Sequence, residues 1–138
     1  MQRQSLSQRL DSWTPVMLSV LRIVAGLLFL EHGTMKILGF PLGPANQTLV
    51  AAGSMFWFAG LLELVGGPLL CMGLFTRPVA FLLSGQMAFA YFLTHARHSP
   101  FPAANEGDAA ILYCFLFLFF VFSGPGPWSV DARLKRPA

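Results

Sequence analysis

Residues 111–122 read Ile111-Leu112-Tyr113-Cys114-Phe115-Leu116-Phe117-Leu118-Phe119-Phe120-Val121-Phe122. No residue in this run is charged. At about 100° per residue the run circles a helix more than three times, so every face is apolar. A helix on the surface of a soluble domain would keep a polar stripe. The buried core helix of a soluble bundle is the alternative, and lipid explains the run better. A membrane strand is excluded, because no alternating apolar and polar segment of about ten residues occurs.

The rest of the chain agrees. Its 138 residues are 55% hydrophobic and only 11% charged, against about 25% charged in an ordinary soluble domain. Too few charged groups remain to cover a water-exposed surface, so a single integral membrane domain over residues 1–138 is expected. The net charge of +3 does not imply nucleic acid, because several basic residues flank apolar runs.

Four such runs are present: Pro15 to Leu38, Ser54 to Phe75, Pro78 to Thr94 and Gly107 to Ser123. A bilayer core takes about 20 helical residues, with roughly 17 as the lower limit. All four meet it, which predicts an all-α, four-helix transmembrane bundle. Breaks at Gly39 to Pro44, Thr76-Arg77-Pro78, His98 to Pro102 and Gly124 to Pro127 separate the helices. Residues 45–53 are expected to add a short interfacial helix. The polar N-terminus and the length of the first run argue against a cleaved signal peptide. Arg3, Arg9, Arg77, Arg133, Lys135 and Arg136 fall on one side, and only Lys36 and Arg97 on the other. The excess predicts cytoplasmic N- and C-termini, in the bacterial cytoplasmic membrane.

Ionisable groups inside a bilayer are costly and mark candidate sites. Arg22 on the first helix and Glu63 on the second are expected to face the interior and to pair, with Gln86 close. Arg22 shares its helix face with Gly26, Phe29, Gly33 and Lys36, and Glu63 with Phe56, Gly60, Gly67 and Leu70. The pair either fixes packing and register or takes part in function. A second polar group gathers at the outer end: Glu31, His32 and Lys36, then Tyr91, His95, Arg97 and His98, then Asn105, Glu106, Asp108 and Tyr113. Asn105 and Asp108 are placed to form a capping box on the fourth helix. Glu31 points away from the face of Arg22. Cys71 and Cys114 lie at different depths, roughly 25 Å and 11 Å from the outer boundary, and are expected to stay unlinked. No metal-ligand set, haem, flavin or Fe–S signature is visible.

Several motifs then carry a family resemblance. The first helix has Arg22-x3-Gly26-x5-His32-Gly33-x2-Lys36. The second has Glu63-x2-Gly66-Gly67-x5-Gly73-x2-Thr76-Arg77. The last third has Phe101-Pro102-x2-Asn105-x-Gly107-Asp108, Leu112-Tyr113 and Gly124-x-Gly126-x2-Ser129-x-Asp131. In order and spacing these resemble the DoxX family of small four-helix membrane proteins. Asp108 departs from a pattern that commonly has Glu, keeping the acid, and the stretch from His95 to Ser99 lies outside it. The resemblance implies quinone-linked redox chemistry, as in the small subunit of thiosulfate:quinone oxidoreductases, or links to thiol and oxidative-stress systems.

On that basis Glu63, His32 and Asp108 are the candidate catalytic residues. Arg22, Lys36, Gln86, Tyr113 and Asn105 are the candidates for binding a quinone, and no metal is expected. The expected partners are the lipid bilayer, a quinone or small sulfur compound, other membrane or redox subunits and a second copy of the chain, but no nucleic acid. The alternative is a non-catalytic scaffold or small-molecule-binding module. A small exporter of cations ranks last, because Arg22 and Lys36 would repel its substrate.

Overall fold

The computed structural model describes residues 5–41 and 49–135. Among them there are six α-helices and no strand: α1 Leu6–Leu38, α2 Met55–Met72, α3 Thr76–Ala90, α4 Pro102–Asn105, α5 Asp108–Ser123 and α6 Val130–Leu134. A π-helical turn, Tyr91–His95, continues α3. α1 packs along α2, and α3 packs along α5 and more sparsely on α2. α1 and α2 are each long and apolar enough to cross a membrane, and α5 is a shorter apolar helix.

The four apolar runs therefore appear as helices, with shifted ends. α1 starts nine residues before Pro15 because Ser5 and Gln8 form a capping box. The Ser5 hydroxyl accepts the Gln8 N–H at 3.3 Å, and the Gln8 side chain accepts the Ser5 N–H at 3.0 Å. Of the expected interfacial helix, residues 45–48 lie outside the described residues, and residues 49–53 are not helical. The expected cap on the fourth helix does not form. Glu106 sits at φ 58, and this reversal makes Gly107 the residue that precedes α5. Asn105 instead accepts the Gly107 N–H at 2.8 Å and donates to the Ser99 carbonyl at 2.7 Å. Asp108 opens α5 with an exposed side chain.

The core contains Ala25, Phe29, Leu70, Leu83, Phe117 and Phe120. Phe29 meets Phe117 edge to face with centroids 4.6 Å apart. Outside it, Leu27, Val65, Phe89, Phe115 and Phe122 are all more than half exposed. An apolar exterior around a small apolar core suits a protein whose solvent is lipid. α1 and α2 approach with almost no side chains between them at one crossing. A Cβ added at Gly26 would lie 2.8 Å from the Gly67 carbonyl oxygen, and one at Gly67 would lie 2.7 Å from the Leu30 nitrogen. Glycines permit such backbone contact in apolar surroundings.

This crossing corrects the expected Arg22–Glu63 pair. Both residues are buried, at 0% and 1% exposure, but they do not meet. Gly33 lies against Glu63 and Leu64, while Gly26 lies against Gly67 and Cys71. In this antiparallel register Arg22 falls beside the C-terminal turn of α2. Glu63 is seven residues away, about 10 Å along the helix axis. The Arg22 guanidinium donates to the carbonyls of Leu70, of Cys71 at 2.7 Å, of Pro125 at 2.7 Å and of Trp128 at 2.5 Å. The last carbonyls of a helix have no partner within it and carry the negative end of its dipole. Arg22 joins two of those of α2, Leu70 and Cys71, to the loop after α5, while Leu69 and Leu70 also accept the Leu74 and Gly73 N–H groups.

The same end of the molecule is tied twice more. Arg77 donates to the Val121 and Phe122 carbonyls near the end of α5. Asp131 accepts the Phe75 N–H at 2.9 Å and the Thr76 N–H at 2.8 Å, capping α3, and its own N–H donates to the Gly73 carbonyl at 3.0 Å. That bond set holds Phe75 at φ 50, a left-handed conformation costing about 1–2 kcal/mol for a residue with a Cβ. Burial works to raise the Asp131 carboxyl, but the Thr76 and Phe75 N–H groups and the charge of Lys135 outweigh it, and the carboxyl is held below its ordinary range.

Two outcomes test this arrangement. Arg22→Met and Glu63→Gln should each lower the thermal midpoint in detergent. A double-mutant cycle should find their effects additive within about 0.5 kcal/mol, as for separated sites. A direct ion pair would show a larger coupling. Asp131 stabilises the fold while its carboxylate is ionised. That contribution is present above the unfolded pKa of about 3.9 and is lost as pH falls through the lower folded value. Asp131→Asn should therefore lower the midpoint at neutral pH and flatten its fall in acid, read by thermal melts across pH.

Candidate functional site

In the half of the molecule away from Arg22, Lys36 closes on Glu63. The approach needs Gly60 on α2, where a Cβ would stand 2.9 Å from the Lys36 Cβ. The Lys36 ammonium donates to both Glu63 oxygens, at 2.6 and 2.8 Å. Glu63 is 2% exposed along its side chain, and Lys36 is 23% exposed. α3 adds Gln86, whose Nε2 donates to Glu63 Oε1 at 2.8 Å and to the Ala59 carbonyl at 3.3 Å. Both partners are acceptors, so the amide orientation is set. Gln86 Oε1 is left buried with no donor.

These groups edge a cavity of about 750 Å³. Its walls are mainly apolar, including Phe29, Phe58, Leu62, Leu82 and Phe89, and its polar lining comes from His32, Lys36, Glu63, Gln86, Thr94, His95 and Tyr113. Phe58 and Leu62 on α2 and Phe81, Leu82 and Phe89 on α3 are exposed on the outer surface as well as lining it. The slot therefore opens sideways between α2 and α3. Gly85 helps to hold it open, for a Cβ there would meet nothing within 4 Å.

The histidines are oriented by backbone. His32 Nδ1 lies 2.8 Å from the Leu28 carbonyl, and His95 Nδ1 lies 2.9 Å from the Asn105 carbonyl. A carbonyl only accepts, so both Nδ1 atoms carry hydrogen. His95 belongs to the π-helical turn, where the Ala96 N–H reaches back five residues to the Tyr91 carbonyl at 2.9 Å. Such turns carry an extra residue and re-aim side chains, often at functional sites. Thr94 within it bonds the Ala90 carbonyl. The Tyr113 ring stacks on Phe117, with centroids 5.6 Å apart, and also packs against Phe29.

Of the residues expected at the site, the structure brings Glu63, His32, Lys36, Gln86 and Tyr113 to one cavity. Arg22, Asn105 and Asp108 are not in its lining. Arg22 ties helix ends, Asn105 is buried in the α4–α5 turn and Asp108 faces outward. His95 was expected in the outer polar group but not as a catalytic or binding residue, and Thr94 was not expected at the site. Their cue in the sequence is a polar pair ending an otherwise apolar run. Cys71 and Cys114 are both free thiols. Among the described residues no three His, Cys, Asp or Glu side chains gather as a metal-binding group.

The DoxX family model matches residues 17–96, which takes in most of α1, all of α2 and α3, and the π-helical turn. An uncharacterized protein of Haemophilus influenzae is 45% identical over 130 residues, covering 92% of this chain and 97% of the relative. An uncharacterized membrane protein of Mycobacterium tuberculosis is 33% identical, covering 86% and 81%. The inner membrane protein YqjF of Escherichia coli is 28% identical, covering 85% and 91%. No solved structure matches the chain. The extent of the family match, the near full-length relatives and the apolar spans lead to one conclusion: the chain belongs to the DoxX family and is a multi-pass protein of the bacterial inner membrane.

Proposed function

We propose that the chain is a four-helix transmembrane bundle that binds a quinone in the α2–α3 cavity and serves as the quinone-linked subunit of a membrane oxidoreductase. Four long elements support the bundle, α3 being extended to His95 by the π-helical turn. The basic residues Arg9, Arg77, Arg133 and Lys135 at the Arg22 end favour cytoplasmic termini, with Lys36 and Arg97 at the other end. In that orientation the cavity lies in the outer half of the membrane.

The observation that carries the reading is an apolar slot between α2 and α3 whose lining includes the joined Lys36, Glu63 and Gln86 together with His32, His95 and Tyr113. An amphiphile with a flat polar head and an apolar tail fits such a slot. The tail lies between α2 and α3, where Phe58, Leu62 and Phe81 face it. Tyr113 and the third ammonium hydrogen of Lys36 can donate to a ring carbonyl. The Phe29 ring gives the head an aromatic surface. When bound, the quinone supplies two-electron, two-proton redox chemistry. This chain's part is to bind and orient the head, exclude water from Glu63 and offer bases at His32 and His95. Electrons come from a small sulfur donor or from a partner subunit.

The test is to purify the protein in mild detergent and assay co-extracted quinone. Quinone should be retained by the natural chain. It should fall several-fold in Gly85→Leu, which fills the open slot while leaving the thermal midpoint near its original value. Glu63→Gln should also reduce retention. Reconstituted with quinone and sulfide or thiosulfate, the natural chain should reduce quinone alone or with its partner subunit. No retained quinone in any preparation would defeat the reading and leave the non-catalytic scaffold in its place.

A further inference from the structure

A second cavity, of about 300 Å³, lies at the Arg22 end of the molecule. Its walls are Met72 from the last turn of α2, Pro127 and Trp128 from the loop after α5, and Ser129, Val130 and Arg133 at α6. Arg133 is the one charged residue in this lining, and no carboxylate joins it. Asp131, close by on α6, turns its oxygens to the Phe75 and Thr76 N–H groups instead. Among the described residues Arg133 forms no salt bridge. The apolar walls reach the outer surface, where Met72 is 49% and Trp128 56% exposed. The loop that carries them is fixed by its own bonds. The Trp128 N–H donates to Ser19 Oγ at 3.1 Å, and the Trp128 carbonyl accepts from Arg22 at 2.5 Å. Ser129 Oγ donates to the Gly126 carbonyl at 2.8 Å and accepts the Ala132 N–H at 3.1 Å. The hollow is therefore preformed, with a cation on one wall and apolar surface on the others.

We propose that this hollow binds the headgroup of an anionic phospholipid, with its phosphate on Arg133 and its chains outside the cavity along Met72. A guanidinium presents paired N–H donors that match two oxygens of a phosphate. A volume of about 300 Å³ is at the lower end for a ligand cavity. It has room for a headgroup and leaves the chains in the bilayer. The apolar walls favour a lipid over a free phosphate, which would make no use of Met72, Val130 or the Trp128 ring. Tryptophan rings settle at headgroup level, and basic hollows at the ends of membrane helices suit acidic headgroups. Lys135, the residue after α6, adds positive charge at the same end without lining the cavity. The site is separate from the slot between α2 and α3, and it bears on stability. Trp128 and Ser129 wall the hollow, and the Trp128 carbonyl is one of the four that hold Arg22. A lipid seated there braces the contact that fastens α1 to the loop after α5.

The test uses the full-length protein, stripped of lipid in mild detergent, with phosphatidylglycerol and phosphatidylcholine of the same chains as probes. Native mass spectrometry measures lipid retention, and thermal melts measure the midpoint with each lipid and with inorganic phosphate. Phosphatidylglycerol should be retained several-fold better than phosphatidylcholine and should raise the midpoint more. Arg133→Gln should weaken its retention by about fivefold or more, the effect of one basic residue at an anionic surface being the lower bound. Lys135→Gln should weaken it far less, because Lys135 is near the hollow but not in its lining. The comparison of the two lipids on the natural protein decides the matter if Arg133→Gln fails to fold. Equal retention of the two lipids overturns the proposal. Equal loss in Arg133→Gln and Lys135→Gln overturns the assignment to the hollow, since diffuse charge would then account for the binding. A midpoint raised as much by inorganic phosphate as by phosphatidylglycerol overturns the lipid as the occupant.

Discussion

The fold depends on a buried guanidinium that, among the described residues, forms no salt bridge. Arg22 is fully enclosed and is satisfied by four backbone carbonyls from the end of α2 and the loop after α5. An isolated charge in an apolar interior is prohibitively costly. Here the partial negative charges at helix C-termini take the place of a counter-ion. The Leu70 carbonyl also takes the Gly73 N–H at 3.0 Å, while the carbonyls of Cys71, Pro125 and Trp128 find their donor in the guanidinium. One side chain therefore meets two requirements, and it can do so only if α1, α2 and the chain after α5 meet at one point.

That meeting point divides the molecule. Near Arg22, the turn between α2 and α3 is closed by Asp131, and the end of α5 is held by Arg77. The elements are tied backbone to side chain across the chain's first and last parts. Towards the other end α2 and α3 no longer share a turn, and small residues such as Ala59, Gly85, Ala90 and Ala110 face the space between helices. A cavity opens there. The division also frees Glu63. Since Arg22 is spent on carbonyls, Glu63 takes Lys36, which reaches it across Gly60. Had the two buried charges paired, Lys36 would have lost the carboxylate that it now holds with two hydrogen bonds.

The sequence made the helices legible and left the pairing between them obscure. Residues 111–122 are apolar all round, and that alone excludes a soluble surface helix. The faces of α1 and α2 were legible too, because Arg22, Gly26, Phe29 and Gly33 recur at helical spacing and all are buried. Helical spacing says nothing of how far one helix slides along another. Arg22 and Glu63 both face inward, but the offset set by Gly26 against Gly67 separates them. Backbone carbonyls were the missing competitor, since every residue has one and none stands out in a sequence. The same limit applies to Asn105 and Asp108. Their spacing matches a capping box, and a single left-handed residue, Glu106, displaces it. Lys36, Glu63, Gln86, His32 and Tyr113 did converge, because each lies inward-facing at mid-helix or in the half of its helix away from Arg22. His95 was harder to assign. Its approach to the cavity depends on the π-helical turn, an insertion in the helical count that residue types alone do not announce.

The tied end and the open end depend on one another. A slot of this size between membrane helices removes packing contacts that would otherwise hold them together, and lipid offers no hydrophobic drive to restore them. The association must then be held elsewhere, by close glycine contact and by hydrogen bonds that have no better alternative in an apolar medium. Gly26, Gly33 and Gly67 supply the first, and Arg22, Arg77 and Asp131 the second. Charges in this chain are therefore few but unequal in role. Those at one end hold the helices in register. Lys36 and Glu63, held by that register, form the polar edge of a slot whose remaining walls are apolar. A bundle packed evenly along its length would be more stable and would have no such cavity. Concentrating the fastening at one end lets the other stay open without separating the helices.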